Sequence, residues 1–176
     1  MAVTIDATVG GENSNSYLTL EEAEEYFATR MPAPTNWAAT PVPSNDDKSK
    51  ALITATRIID QMADWKGEVA ADEQALLWPR EDMVDLKGLD MDNDVIPNEL
   101  KYATCEFADA LLGTDKTADL SSMGLSELGV GSIKIKFSDN APPIRKVLPD
   151  ISWDFIKRWC DLRLDSNRGS AKLVRG

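Results

Sequence analysis

Two short stretches, Trp65-Lys66-Gly67 and Gln74-Ala75-Leu76-Leu77-Trp78-Pro79-Arg80, lie between strongly patterned helical segments and decide how the chain folds. Gly67 indicates a turn, and the second stretch predicts a short helical turn that Pro79 ends. The two tryptophans are expected to close one end of the core, and Arg80 to donate its planar guanidinium to helix carbonyls or a nearby carboxylate. An architectural role is therefore predicted for the set Trp65, Gly67, Trp78, Pro79 and Arg80, with ligand binding by Arg80 as the less favoured alternative.

Helical patterns flank these stretches on both sides. Thr19 followed by Glu22 predicts a capping box at the start of a first helix, which Pro32 stops. A second helix is predicted from Ser44 or Asn45 as far as Trp65. Its apolar positions recur at helical spacing over a wide arc, which is typical of the central helix of a bundle. Between these two helices lies a proline-rich loop that Trp37, its single large apolar residue, is expected to hold against the core.

The second half of the chain predicts two more helices and a strand region. A third helix is expected from Pro97 to Gly113, and a last one from about Ser152 to Leu164. Between them, the alternation of Ile133 to Phe137 and the surrounding glycines predict a β-hairpin or strand excursion near residues 120–138. The predicted fold class is mainly α: a small helical bundle with that excursion and an extended C-terminal arm.

Two regions differ in charge. The net charge is −11. Residues 1–142 carry 11 Lys/Arg against 26 Asp/Glu, whereas residues 143–176 carry 8 against 4. We predict a helical body over 1–142, and a C-terminal helix with a basic arm over 143–176. Because proteins that hold DNA through its phosphates present basic surfaces, the acidic body is expected to repel a duplex. The alternative is that its acidity only maintains solubility.

The residue types in the sequence argue against the familiar kinds of catalytic and zinc sites. The chain has no histidine and two cysteines, Cys105 and Cys160, without CxxC spacing. Zinc sites and histidine-dependent nucleophiles are therefore not expected, and both thiols are predicted to be buried. The run from Asp90 to Asp94 opens like a calcium loop but lacks the required glycine and glutamate, so it is not an EF-hand. Incidental cation binding at Asp90, Asp92 and Asp94 stays open. We expect no enzyme activity and no cofactor.

The sequence predicts neither membrane insertion nor export. No window approaches about 18 uninterrupted apolar residues. The N-terminus, from Met1 to Asp6, lacks the basic and apolar regions of a secretory signal. Synthesis in a cytoplasm is therefore expected.

The ordered motifs, from Asn15-Ser16-Tyr17 through Ala51–Asp60 to the tryptophan stretches, resemble a family of tailed-phage head–tail adaptor (connector, neck) proteins. This resemblance implies a structural virion protein that forms a homo-oligomeric ring of about twelve copies beneath the portal. Such a ring extends the DNA channel, lets packaged DNA pass without specific binding, and offers a platform to the tail or the next neck protein. It also implies an arm that docks on the portal, with these candidate residues: Arg168, Lys172, Leu173, Val174 and Arg175.

Some members of this family carry the label DnaT-like ssDNA-binding protein, which supplies an alternative function. Single-stranded DNA binding requires exposed aromatic platforms among Lys and Arg residues. Only Trp153 and Trp159, near Lys157 and Arg158, meet that description in the sequence, and their spacing is more typical of a packed helix.

Overall fold

A computed structural model describes residues 3–32, 36–113, 128–130, 133–135 and 148–162 of the chain. Its helices, in chain order, are α1 Leu20–Thr29, α2 Asn45–Met62, α3 Asn98–Gly113 and α4 Asp150–Ile156. The strands of this part form antiparallel pairs: β1 Ala63–Trp65 with β6 Cys160–Leu162, β2 Glu68–Val69 with β3 Arg80–Glu81, and β4 Leu128–Val130 with β5 Ile133–Ile135. The fold is mainly helical with short strands, which confirms the predicted class.

Side-chain caps start the first two helices: the capping box of α1 was predicted, and α2 begins where its start was predicted. Thr19 Oγ1 accepts the Glu22 N–H at 3.2 Å, and a Glu22 carboxylate oxygen accepts the Thr19 N–H at 2.8 Å. Ser44 caps α2 by accepting the Asp47 N–H at 3.1 Å. Caps of this kind contribute about 1 kcal/mol each to helix stability.

The core lies where α2 crosses α3 and where α3 meets α4. Side chains from these helices are fully buried, including Leu52, Ile58, Ile59, Leu100, Phe107 and Ile156. α2 contributes buried residues around most of its circumference, so the prediction that it is the central helix is confirmed.

Trp37 holds the loop before α2 against the core, as predicted. Its indole is 2% exposed and stacks on Phe27 with ring centroids 4.4 Å apart. Asp109 accepts its backbone N–H at 2.7 Å, and Glu24 accepts its indole N–H at 3.1 Å. The loop is therefore tied to both α1 and α3.

A buried ion pair joins the end of α1 to α3. The Arg30 Nη2 donates to Glu106 Oε2 at 2.9 Å, while Arg30 Nε and the Tyr26 hydroxyl both donate to Glu106 Oε1. The Glu106 side chain is only 4% exposed. Its charge is thus compensated by one cation and a neutral donor, as a buried carboxylate requires.

The chain departs from helix earlier than predicted at two places. α2 ends at Met62 rather than Trp65, and α4 ends at Ile156 rather than Leu164. The residues beyond these ends pair as β1 and β6, with Trp65 opposite Cys160 and Ala63 opposite Leu162. Backbone pairing between the two segments replaces the helical hydrogen bonds that either would have made alone.

Two smaller predictions also need correction or qualification. Residues 74–78 form bends rather than a helical turn. The Gln74 side chain donates to the carbonyls of Leu76 and Pro79 and so holds the bend in place of a helical hydrogen bond. The β4–β5 hairpin confirms the strand excursion predicted near 120–138. The predicted boundary between the body and the C-terminal part, at residues 142 and 143, lies outside the described residues.

Candidate functional site

The two tryptophans of the deciding stretches pack at one end of the core, as predicted. The Trp65 and Trp78 indoles meet edge to face, with ring centroids 5.6 Å apart, and Trp78 meets Trp159 in the same manner at 5.9 Å. All three side chains are buried. Trp159, which comes from the C-terminal part of the chain, completes a cluster that sequence spacing does not reveal.

Arg80 lies beneath this cluster and binds backbone carbonyls. Its guanidinium donates to the carbonyls of Lys66 at 2.7 Å, Gly67 at 2.6 Å and Leu77 at 3.0 Å. These are turn and loop carbonyls, so the expected helix carbonyls are not its partners. With its donors used in this way, Arg80 holds the two stretches together rather than facing a ligand.

Gly67 is required by the same junction. Its backbone has φ +67°, and a Cβ added there would lie 2.2 Å from the Glu81 carbonyl oxygen. The turn after Trp65 thus needs a residue with no side chain.

A half-buried carboxylate, Asp60, lies near the end of α2 beside this junction. It accepts hydrogen bonds from the Tyr17 hydroxyl and, at 3.1 Å, from the Leu77 N–H. Burial raises the pKa of Asp60 to about 6, and burial next to Asp60 raises the pKa of Tyr17. The pair anchors the N-terminal segment and the 76–78 bend to α2.

Three exposed cations meet on the outer side of the tryptophan cluster. We call the set Lys66, Lys157 and Arg158 the basic corner. The Lys66 Nζ donates to the Arg158 carbonyl at 3.0 Å, and the Lys66 N–H donates to the Trp159 carbonyl at 2.9 Å. Arg158 Nη1 donates to the Leu86 carbonyl at 3.1 Å. β1–β6 pairing places the Lys66 side chain on the backbone of Arg158, 92 residues further along the chain.

Two members of the basic corner, Lys66 and Arg158, differ in their partners from several other cations of the described body. Lys48, Lys50 and Lys101 each lie against a carboxylate. Lys66 and Arg158 instead hydrogen-bond to backbone carbonyls, and Lys157 pairs with the exposed Asp154 at 2.7 Å. Because a carbonyl does not neutralise a cation, Lys66 and Arg158 keep their positive charge, whereas the charge of Lys157 is offset by Asp154.

Trp159, the tryptophan next to the basic corner in sequence, is not a stacking platform. Trp159 is 2% exposed, and its indole N–H donates to the Val84 carbonyl at 2.8 Å. Trp153 is half-buried. Of the residues named in the sequence for this function, the structure brings Lys157 and Arg158 to the surface and places Trp159 in the core. Sequence reasoning missed Lys66, since no local pattern links it to residue 158.

The other sites predicted from the sequence are the acidic run, the two cysteines and the C-terminal arm. Within the described ranges, no three His, Cys, Asp or Glu side chains are grouped to hold a metal ion, and this includes Asp90, Asp92 and Asp94. Cys105 and Cys160 are buried free thiols, as predicted, and burial raises the pKa of both, that of Cys160 to about 12. None of the helices in the described part is long and apolar enough to cross a membrane. The candidate arm at residues 168–175 lies outside the described residues.

Comparison with known proteins places the chain in a family. No curated protein and no solved structure matches it. A family whose description reads "Putative DnaT-like ssDNA binding protein" matches residues 1–176, the whole sequence. The chain therefore belongs to this DnaT-like family.

Proposed function

We propose that this protein binds single-stranded DNA, and that the basic corner contacts the DNA backbone. The observation that carries the proposal is the convergence of Lys66, Lys157 and Arg158 at one exposed site of an acidic body. The description of the family supports the choice of ligand. A flexible single strand can approach a small basic site more closely than a rigid duplex, whose length would also meet the acidic surface.

The structure favours phosphate contacts over base stacking as the mode of binding. Trp37, Trp65, Trp78 and Trp159 are all buried, so they are not available to stack on bases. Lys66 and Arg158, whose partners are carbonyls, neutralise about two phosphates, which gives a slope of roughly −1.4 for log K against log salt concentration on a single strand. We therefore expect weak, sequence-independent and salt-sensitive binding.

Charge reversal at the basic corner tests this proposal. The full-length protein would be titrated into a fluorescently labelled oligo-dT at several salt concentrations. Lys66→Glu and Arg158→Glu should each abolish binding. Lys50→Glu is the matched control, because it makes the same charge change at an exposed site on α2 and should leave most of the binding intact. Melting curves check that every variant is folded.

Two outcomes would contradict the proposal. Binding that does not depend on salt would exclude a phosphate-dominated contact. Equal loss in the Lys50→Glu variant would show that net charge, rather than the basic corner, determines the affinity.

The second candidate function is that of a head–tail adaptor, in which the protein forms a ring beneath a phage portal. A specific observation favours it: exposed aliphatic side chains cluster along residues 84–95, namely Val84, Leu86, Leu89 and Val95. Exposed aliphatic groups suit protein contacts better than contacts with bases. Under this proposal the portal and the next neck or tail protein are the partners, and DNA passes through without specific binding.

Deleting Ser166–Gly176 separates the two functions. An adaptor whose arm docks on the portal should, when truncated, fail to join DNA-filled heads, which would leak or lack tails. Low-resolution imaging of particles would then locate the full-length protein at the neck. Absence of the protein from purified particles, together with salt-sensitive oligonucleotide binding, would overturn the adaptor assignment.

A further inference from the structure

A small rigid hairpin projects beside the basic corner. Residues 84–90 turn back on themselves: Val84 pairs with Asp90, and the Asp85 N–H donates to the Leu89 carbonyl at 2.8 Å. Within the turn, Asp85 Oδ1 accepts the N–H groups of Lys87 and Leu89. We call residues 84–90 the tip hairpin.

The tip hairpin is fixed to the body by the C-terminal part of the chain. The Trp159 indole donates to the Val84 carbonyl, and the Arg158 guanidinium donates to the Leu86 carbonyl. Its shape is therefore held by hydrogen bonds from both inside and outside the turn. A tip held in this way has little conformational entropy left to lose on binding a partner.

Two leucines at the tip face solvent. Leu86 is 56% exposed and Leu89 is 62% exposed. Val84 and Val95 nearby are also exposed. Leucines presented together on a rigid turn are costly in water, and covering them would bury apolar area at about 25 cal/mol per Å².

Charge narrows the kind of segment that can cover this surface. Carboxylates outnumber cations near the leucines: residues 82–95 contain Asp82, Asp85, Asp90, Asp92 and Asp94 against Lys87, and the one further cation in contact is Arg158, which donates to the Leu86 carbonyl. A complementary segment must carry several cations together with aliphatic side chains. The sequence 168–175, Arg-Gly-Ser-Ala-Lys-Leu-Val-Arg, has three cations, Leu173 and Val174, and no acidic residue.

We propose that residues 168–175 dock on the tip hairpin of their own chain, with Leu173 and Val174 against Leu86 and Leu89. The chain geometry permits this contact. The last described strand, β6, ends at Leu162, three residues beyond Trp159, which itself touches the tip hairpin. Leu173 is 11 residues beyond Leu162, a stretch that can span up to about 36 Å, which is enough for it to turn back to the hairpin that Trp159 touches.

A spin label on the full-length protein tests this docking. Ser170→Cys provides the attachment site, because the native Cys105 and Cys160 are buried and their pKa values are raised, which leaves them unreactive. In an isotope-labelled sample, the amide signals of Leu86 to Leu89 should broaden beyond detection. They should recover near 1 M salt, where the Debye length falls to about 3 Å.

Two sets of variants separate the electrostatic and the apolar contributions to the docking. Asp90→Asn, Asp92→Asn and Asp94→Asn combined should remove the broadening, and Leu86→Ser with Leu89→Ser should reduce it. The matched control combines Glu12→Gln, Asp72→Asn and Glu73→Gln, which removes three exposed charges away from the hairpin and should change nothing. Unperturbed signals elsewhere in each spectrum show that the variants are folded.

The proposal is overturned if the hairpin amides keep their intensity in the labelled protein. The second decisive experiment uses a mixed sample. Spin-labelled chains without isotope are added to isotope-labelled chains without spin label. Broadening that arises only in this mixture would mean that the segment reaches a second copy, and would overturn docking within one chain.

Discussion

The Trp78 indole lies at 87° to the Trp65 indole, with 5.6 Å between ring centroids, and both side chains are buried. Trp65→Ala and Trp78→Ala should each lower the free energy of unfolding by about 3–5 kcal/mol, the range for truncating a large buried aromatic. Denaturant titration measures this loss. The double variant should lose less than the sum of the two, because the edge-to-face contact itself contributes about 0.5–1.5 kcal/mol. Parent-like melting of both single variants would contradict a core role for this pair.

Gly67→Ala should destabilise the protein more than Gly88→Ala does. Both glycines have positive φ, which costs an alanine about 1–2 kcal/mol. At Gly67 the added methyl group also meets the Glu81 carbonyl, whereas nothing lies within 4 Å at Gly88. The difference between the two variants in denaturant titrations thus isolates the steric contribution, and equal losses would argue against the close approach of Gly67 and Glu81.

Arg80→Lys should cost less stability than Arg80→Met. Each hydrogen bond from a charged donor contributes about 1.5–3 kcal/mol, and lysine can restore some of the three carbonyl contacts but not their planar arrangement. Methionine restores none of them. Thermal melts of the three proteins should therefore rank parent, lysine and methionine in that order, and a methionine variant as stable as the parent would contradict this account of the junction.

Arg30→Met should be more harmful than removing both charges of its pair. The single change leaves the buried Glu106 without its cation, which costs about 3–5 kcal/mol. Combining Arg30→Met with Glu106→Gln removes the uncompensated charge and should recover part of the loss. A double variant less stable than Arg30→Met alone would show that Glu106 does not need charge compensation.

Asp60 should make stability depend on pH. Its pKa in the folded protein is about 6, above the ordinary value of 3.8, so the folded state binds more protons between these values. Its contribution to the free energy of unfolding should therefore be fully present below about pH 4 and fall by on the order of 3 kcal/mol as the pH rises through 6. Carboxylates with lowered pKa values, such as Glu22 and Glu24, act in the opposite direction.

The contribution of Asp60 is therefore measured as the difference between two pH profiles of the free energy of unfolding. Subtracting the pH profile of an Asp60→Asn variant from that of the parent cancels the other carboxylates and should leave the falling curve. A flat difference between pH 4 and 7 would show that Asp60 does not titrate in this range.

Local signals in the sequence predict the parts of this fold that depend on neighbouring residues. The Thr19–Glu22 capping box, the Ser44 cap and the Trp37 anchor all involve residue types whose preferred partners lie nearby or in the core. The β1–β6 pair was not predictable in this way. Three-residue strands show no period, and each of these two continues an apolar helical pattern, so only the partner segment determines their conformation.

In the candidate site, too, neighbouring residues could be predicted from the sequence, whereas residues brought together by distant pairing could not. Lys157 and Arg158 are adjacent and could be named from the sequence, but Lys66 joins them only through the β1–β6 pair. The exposure of Trp159 could not be judged either, because its burial depends on Trp78 and on the Val84 carbonyl.

The pairing of β1 with β6 also sets an order of events during synthesis. Trp65 and Trp78 leave the ribosome long before Trp159, the third member of their cluster, has been translated. Until residues 160–162 arrive, the edge of β1 is unpaired and two large indoles lack their cover, which is the condition under which nascent chains associate with one another. The pairing of β6 with β1 is thus a late step of folding. Slow translation between residues 80 and 160 would prolong the interval in which the nascent chain depends on chaperones.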